Sequence, residues 1–219
     1  MKKEIRTIVY DEELQIEAYR LEGIVQPFPN HFHEHYVIGF VENGQRVLSC
    51  KGKEYTIGKG SVVLFNPGDN HACVQSDEGV MDYRGLNISK EQMLELGWDV
   101  TGRRELPVFS RNVIDDEEIA CYLRLFHEMV MAGIKEGKEE TLLFLISALI
   151  QNYGDSVLCD NQECRQEIEK ACAFMDCNYM EHVSLERLCS LTSLSKSTLL
   201  RAFTRTKGYT LPLLRECPH

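Results

Sequence analysis

Long apolar runs are missing from this 219-residue chain. No stretch reaches the roughly 18 consecutive apolar residues that a membrane-spanning helix requires, so a membrane partner is excluded. The N-terminal segment MKKEIRTIVYDEEL lacks the apolar core of a secretory signal. Among nine cysteines no CxxC pair occurs, and the odd number argues against a disulfide framework. These absences predict a cytoplasmic protein with free thiols. Cys172 with Cys177, and Cys159 with Cys164, read as apolar filler and linker residues rather than as metal or redox pairs. Internal repeats and low-complexity tracts are absent too.

Positive charge is scarce: 24 Lys and Arg stand against 34 Asp and Glu, a formal charge of −10. That balance excludes non-specific coating of nucleic acid or anionic membrane. The deficit is uneven. From residue 178 onward Arg187, Lys196, Arg201, Arg205, Lys207 and Arg215 outnumber Glu181, Glu186 and Glu216, and a basic end on an acidic chain points to nucleic acid. With 43% hydrophobic and 26% charged residues, the chain has an ordinary globular composition and room for one large domain or two smaller ones.

The richest stretch runs from His31 to His71. Three histidines at alternate positions open it, and a fourth closes it behind Asn66-Pro67-Gly68-Asp69. Short apolar runs at 36–42, 45–50, 53–57, 61–65, 71–75 and 80–88 are separated by turn residues, the pattern of a small antiparallel barrel or sandwich. Asn43-Gly44 predicts a two-residue hairpin, because a type I′ turn needs positive φ at both positions. The first thirty residues supply one or two further strands.

Beyond residue 88 the period changes. Ser89 N-caps a short helix, and a second begins near Asp115 or Asp116, with Ile119, Tyr122, Leu123, Phe126, Met129 and Val130 on one face. The following ETLLFLISALIQNY is apolar almost all round, so more than one face must be covered. The barrel is expected to cover one side and a second copy of the chain the other, hence a homodimer. Residues 156–164 read as a linker between a domain at 1–155 (barrel about 15–90, helices about 91–155) and a segment at 165–219. That segment carries helical patterns at 165–180, 184–192 and 196–207, with Ser184 and Ser195 as N-caps and Gly208 at a C′ position.

Two short helices joined by about three residues, the second basic and serine-capped, outline a helix-turn-helix. Its outward face would carry Ser195, Lys196, Ser197, Leu200, Arg201 and Arg205 toward DNA, with Arg201 suited to guanine or phosphate and Lys196 to phosphate. The run VSLERLCSLTSLSKSTLLRAFTRTKGYT resembles the first helix-turn-helix of the AraC/XylS family of transcription regulators. The match rests on Ser184-Leu185, Leu188, Leu194-Ser195, Leu199, Arg201, Phe203 and Gly208. The His31–His71 stretch with the helices after it is similar to that family's cupin sensor domain.

The resemblance implies an α+β protein: an N-terminal antiparallel cupin-like β-barrel with a helical hairpin, then a small all-α helix-turn-helix segment. It implies a small effector in the barrel, dimerisation through the helical pair, and DNA binding at the C-terminal end. Only the first of the family's two helix-turn-helix units is present. One unit predicts weak DNA binding with a shallow salt dependence. Ser193 stands where the family favours glycine, and Leu200 where a polar, groove-facing residue is usual.

His31, His33 and His35 share a face if their segment is a strand. With Arg46, His71 and Tyr83, and Arg84 nearby, they form the expected effector pocket, suited to a carboxylate-bearing ligand. On this reading the chain is not an enzyme and carries no cofactor. The alternative is a metal-dependent cupin enzyme, an oxygenase or isomerase. His31, His33 and His71 resemble three of the four cupin metal ligands, while Val37 and Ile38 occupy the neighbourhood of the family's carboxylate; His35 is a possible fourth nitrogen.

Overall fold

A computed structural model describes residues 4–75, 79–155, 164–178, 183–207 and 211; the side chains of Arg165, Thr204 and Arg205 lie outside the description. Nine strands come first: β1 (Ile5–Asp11), β2 (Ile16–Ile24), β3 (Phe28–His31), β4 (Tyr36–Asn43), β5 (Gln45–Cys50), β6 (Lys53–Gly58), β7 (Val62–Phe65), β8 (His71–Gln75) and β9 (Met81–Ile88). Then follow α1 (Lys90–Thr101), a short β10 (Val113–Ile114), α2 (Glu117–Ala132), α3 (Lys138–Tyr153), α4 (Arg165–Cys177), α5 (Leu185–Thr192) and α6 (Lys196–Lys207).

All pairings are antiparallel, in two sheets ordered β1-β2-β9-β4-β7-β10 and β3-β8-β5-β6. Alternation along β4 explains how one strand serves two cores. Val37 and Val41 face the small sheet, meeting Leu48, Ile57 and Cys73, whereas Tyr36, Ile38 and Phe40 join the core beneath the helices. A strand covered on both sides reads as a continuous apolar run, as YVIGFV does.

Asn43-Gly44 is not a hairpin. β4 and β5 belong to different sheets, and Gly44 (φ +87°) is the corner where the chain crosses between them. A Cβ there would lie 2.2 Å from the Val80 carbonyl oxygen. The two-residue hairpin is Lys51-Gly52, both at positive φ, between the paired Cys50 and Lys53. The strand expected through 31–35 also ends early: β3 stops at His31, so His33 and His35 sit on the connection to β4.

The helices begin where their caps dictate. Ser89 Oγ accepts from Gln92 N–H (3.1 Å), and Asp116 Oδ1 accepts from Ile119 N–H (3.1 Å). Every residue of α3 from Thr141 to Ile150 is buried within the single chain. Helices α1 and α2 pack on it, and the core continues into Ile168, Ala171, Leu185, Leu188, Leu199, Leu200 and Phe203 of α4–α6. The apolar girdle is thus covered within the chain, so the burial of α3 by itself no longer argues for a homodimer. Where α3 starts, Lys138 Nζ donates to Asp11 Oδ2 at the end of β1 (2.5 Å), with both side chains 7% exposed.

Free thiols stand at Cys50, Cys73, Cys164, Cys172, Cys177 and Cys189, but Cys121 is disulfide-bonded, against the expectation of free thiols throughout. Residues 156–163 of the expected linker lie outside the described residues, as do Gly208 and the end of the helix expected to reach 180. Among the described residues no helix is long and apolar enough to cross a membrane.

Ser184 Oγ caps α5 by accepting from Arg187 N–H (3.3 Å), and the helix closes on Ser193 at φ +59°. A side chain bearing Cβ is disfavoured there, and Ser193→Gly should stabilise the chain by about 0.5–1 kcal/mol in denaturant titrations. A destabilised variant would show that the Ser193 side chain supports the turn.

Candidate effector cavity and DNA-reading helix

The turn Asn66–Asp69 organises the histidines. Asp69 Oδ2 accepts from the Asn66 backbone N–H (3.0 Å), Asn66 Nδ2 (3.1 Å) and Asn112 Nδ2 (2.9 Å), while Oδ1 pairs with Lys51 Nζ (2.8 Å). Asn66 also exchanges hydrogen bonds with the backbone of Phe109, tying in the segment before β10. From this anchored turn the Asp69 carbonyl accepts from His71 Nδ1 (2.9 Å), and Gly68 N–H donates to the His33 carbonyl (2.8 Å). His31 pairs across strands with His71, and its own Nδ1 donates to the Pro29 carbonyl (2.7 Å). The Phe65 ring stacks on His71 with centroids 3.8 Å apart.

The result is a cluster of three imidazoles. Ring centroids are 4.3 Å apart for His31–His71, 4.9 Å for His31–His33 and 5.2 Å for His33–His71. Burial, then the neighbouring imidazoles of His71, His31 and His35, push the His33 ring down to about 4. Burial likewise lowers His71. Both are neutral at physiological pH.

The cluster forms the polar end of a cavity of about 270 Å³ between the sheets, walled by Val37, Leu48, Ile57, Val63, Phe65 and Met81. Tyr19 and Tyr83 line it from the large sheet. Each ring lies over a glycine: a Cβ on Gly39 would fall 2.0 Å from Tyr83 Oη, and one on Gly85 would fall 2.4 Å from Tyr19. Gly39 and Gly85 are cross-strand partners on β4 and β9, so adjacent missing side chains give both rings their space. Burial raises both phenols, so they stay protonated. Arg6, Glu17 and Asn87 complete the polar lining.

Of the expected pocket residues, the structure brings His31, His33, His71 and Tyr83 together around the cavity. His35 does not line it; its ring lies 5.0 Å from that of His33, with Nε2 buried and without a hydrogen-bond partner. Arg46 does not face it either. Wholly buried, it donates to the backbone carbonyls of Ile24 (2.6 Å) and Gly79 (3.3 Å), knitting strand ends together. Arg84 turns to the opposite face, pairing with Glu42 and Glu128 over the Phe40 ring. The expectation missed Tyr19, Arg6, Glu17 and Asn87; the glycines within β4 and β9 were the available signal for Tyr19.

At the other end, exposed Ser195 caps α6: its Oγ accepts from Thr198 N–H (3.2 Å) and also bonds the hydroxyls of Thr198 (2.8 Å) and Ser197 (3.3 Å). Ser197 is half-buried beside it. Lys196 pairs with Glu140 of α3 and Glu186 of α5. Arg201 donates to the Trp98 carbonyl (3.2 Å) at the C-terminal end of α1. Leu200, expected to face a groove, is 2% exposed and belongs to the core, because α6 packs against α1 on that side. Arg205 lies on α6, its side chain outside the described residues.

An antiparallel barrel around a small-molecule cavity, joined to a short helix-turn-helix, defines a ligand-binding regulator. Residues 13–153 match the AraC-like ligand binding domain family. The chain is 43% identical over 213 residues to an uncharacterized HTH-type transcriptional regulator, YbfI, of Bacillus subtilis (strain 168), covering 96% of this chain and 77% of that one. Among solved structures, an RmlC-like cupin with a double-stranded β-helix fold from Methanocaldococcus jannaschii is similar at 12% identity and a TM-score of 0.36, covering 41% of this chain and 83% of that one. KdgF from a Halomonas species is similar at 20% identity and 0.34, covering 41% and 82%. The chain belongs to the AraC family of ligand-responsive transcription regulators.

Proposed function

We propose that a small effector occupies the cavity between the sheets, that α6 is the DNA-reading helix, and that the two are coupled through α1 and α3. The observation that carries this reading is the engagement of Lys196 and Arg201, both candidates for DNA contact, by Glu140 and by the C-terminal end of α1. The arrangement described is then the silent one, with the reading face of α6 partly occupied by the sensor. An effector shifts the balance only through different affinity for the docked and released arrangements. Self-association through α3 is not part of the proposal, since α3 is already covered. The enzyme alternative draws no support from the 43% identical relative.

A duplex selected by the full chain from a randomised library, followed by anisotropy titration, tests the reading. Glu140→Gln removes the tie between Lys196 and α3, leaving only Glu186 of the neighbouring α5, and should tighten binding by about three- to tenfold, the equivalent of roughly 1 kcal/mol for a partly exposed ion pair. Lys196→Ala and Arg201→Ala should weaken it. Failure to enrich any sequence, or equal affinity of all four proteins, would remove α6 from the reading role.

A further inference from the structure

The polar lining of the cavity offers lone pairs and phenol hydroxyls but little positive charge. The Asp69 carbonyl can only accept, so Nδ1 of His71 carries the proton and Nε2 of this neutral ring is an acceptor. The Pro29 carbonyl fixes Nδ1 of His31 as a donor in the same way. From the large sheet Tyr19 and Tyr83 add their hydroxyls, ring centroids 6.0 Å apart, over the bare Gly85 and Gly39. The arginines that would receive an anion are engaged elsewhere: Arg46 by backbone carbonyls, Arg84 on the far face by Glu42 and Glu128. Among the described lining residues Arg6 is the one cation outside the imidazoles, and it lies exposed on the edge strand β1, paired with Glu4. A carboxylate at the imidazole end would lose its water against lone pairs and gain no counter-charge. A hydroxyl suits that end, because it donates to an imidazole nitrogen and can accept from a phenol.

We propose that the effector is an uncharged alcohol or phenol with a compact apolar body, its hydroxyl donating to Nε2 of His71, with the Tyr19 and Tyr83 hydroxyls as the donors available to its oxygen. The inference rests on the reading above that the cavity is the effector site. The body lies against Leu48, Ile57 and Met81. A volume of about 270 Å³ falls just under the roughly 300–1,000 Å³ of ordinary ligand pockets, which favours a single ring over a polycyclic ligand. Tyr19 also gives the site its reach. Its ring lines the cavity, while its backbone carbonyl accepts from Nε2 of His127 (3.0 Å), a fully buried side chain of α2. A ligand that moves Tyr19 therefore acts on the helical layer directly.

Full-length chain is titrated by calorimetry, in buffer containing a chelator, with p-cresol, p-methylanisole and p-toluate, which share one body and differ at one group. Saturable binding of p-cresol is expected, with the ether and the anion each at least about tenfold weaker, because each leaves the buried His71 acceptor unpaired. His71→Asn keeps a donor for the Asp69 carbonyl but removes the Nε2 lone pair, so the preference for the phenol over the ether should fall below about threefold. Tyr19→Phe keeps the ring over Gly85 and should weaken p-cresol by about three- to tenfold. Circular dichroism checks the fold of both, and where His71→Asn does not fold the ranking of the three ligands decides. No saturable binding of p-cresol under chelator, equal or tighter binding of the ether or of p-toluate, or an unchanged preference in folded His71→Asn overturns the proposal. Any of these with sequence-selective DNA binding intact leaves the regulator reading standing, whereas the expected ranking in a chain that selects no DNA sequence does the reverse.

Discussion

Asp69→Ala is expected to lower the unfolding free energy by about 3–5 kcal/mol, because it takes the acceptor from three buried N–H donors, the half-exposed Lys51 adding little. The carboxylate is 7% exposed and satisfies three nitrogens and Lys51 at once. Its loss leaves the Asn66 backbone N–H and one N–H of each of the Asn66 and Asn112 amides without an acceptor, at about 1–3 kcal/mol for a buried donor, while the bonds to the Phe109 and Leu64 carbonyls remain. Asp69→Asn keeps the shape and should recover part of the deficit. Burial by itself would raise the Asp69 carboxyl, but Lys51, Asn112 and Asn66 more than offset that and hold it below the ordinary carboxylate range. Its contribution is therefore complete above that range and disappears as acidification passes the lowered value. Urea titrations at neutral and strongly acidic pH measure both effects; a loss under about 1 kcal/mol at neutral pH would show the network to be dispensable. Because the same turn holds His71 through the Asp69 carbonyl and His33 through Gly68, the variant should also broaden the histidine ring resonances.

Lys138→Ala should be comparably severe, about 3–5 kcal/mol, because it leaves the Asp11 carboxylate buried without its cation. Burial would raise Asp11; Lys138 and the backbone N–H groups of Leu14 and Glu13 outweigh it and draw the carboxyl below its ordinary value. The stability from this pair is present above roughly pH 4 and is lost as the pH falls through the depressed value. The melting temperature of the parent should therefore drop on acidification more steeply than that of Asp11→Asn/Lys138→Met, which has no buried charge to titrate there and keeps only the exposed Glu13–Lys135 pair. Parallel acid profiles for the two proteins would count against the pairing.

Strand positions were legible because turn residues and alternation are local signals. The runs at 45–50 and 71–75 match β5 and β8, and the caps at Ser89 and Asp116 open α1 and α2. What Asn43-Gly44 does was not legible. Positive φ is a requirement of backbone geometry, and both a hairpin and a crossing between sheets satisfy it. The girdle of α3 misled for a related reason: composition says that a helix must be covered all round but not by what. The adjacent α2 and the earlier α1 supplied the cover within the chain. Arg46 looked like a ligand contact because a cation on a barrel strand usually needs an anion; here backbone carbonyls at strand ends take that place. Tyr19 was hidden because its position depends on the absence of a side chain on a neighbouring strand.

The chain's one tryptophan is the residue whose carbonyl receives Arg201, and the residue is still 43% exposed. Its emission therefore needs no label to report on α6. Colour and quencher access should change when that helix leaves α1, and excitation at the red edge of the tryptophan band leaves the nine tyrosines silent. Screening of candidate small-molecule effectors could be run directly on this intrinsic light, with conformational release as the optical signal.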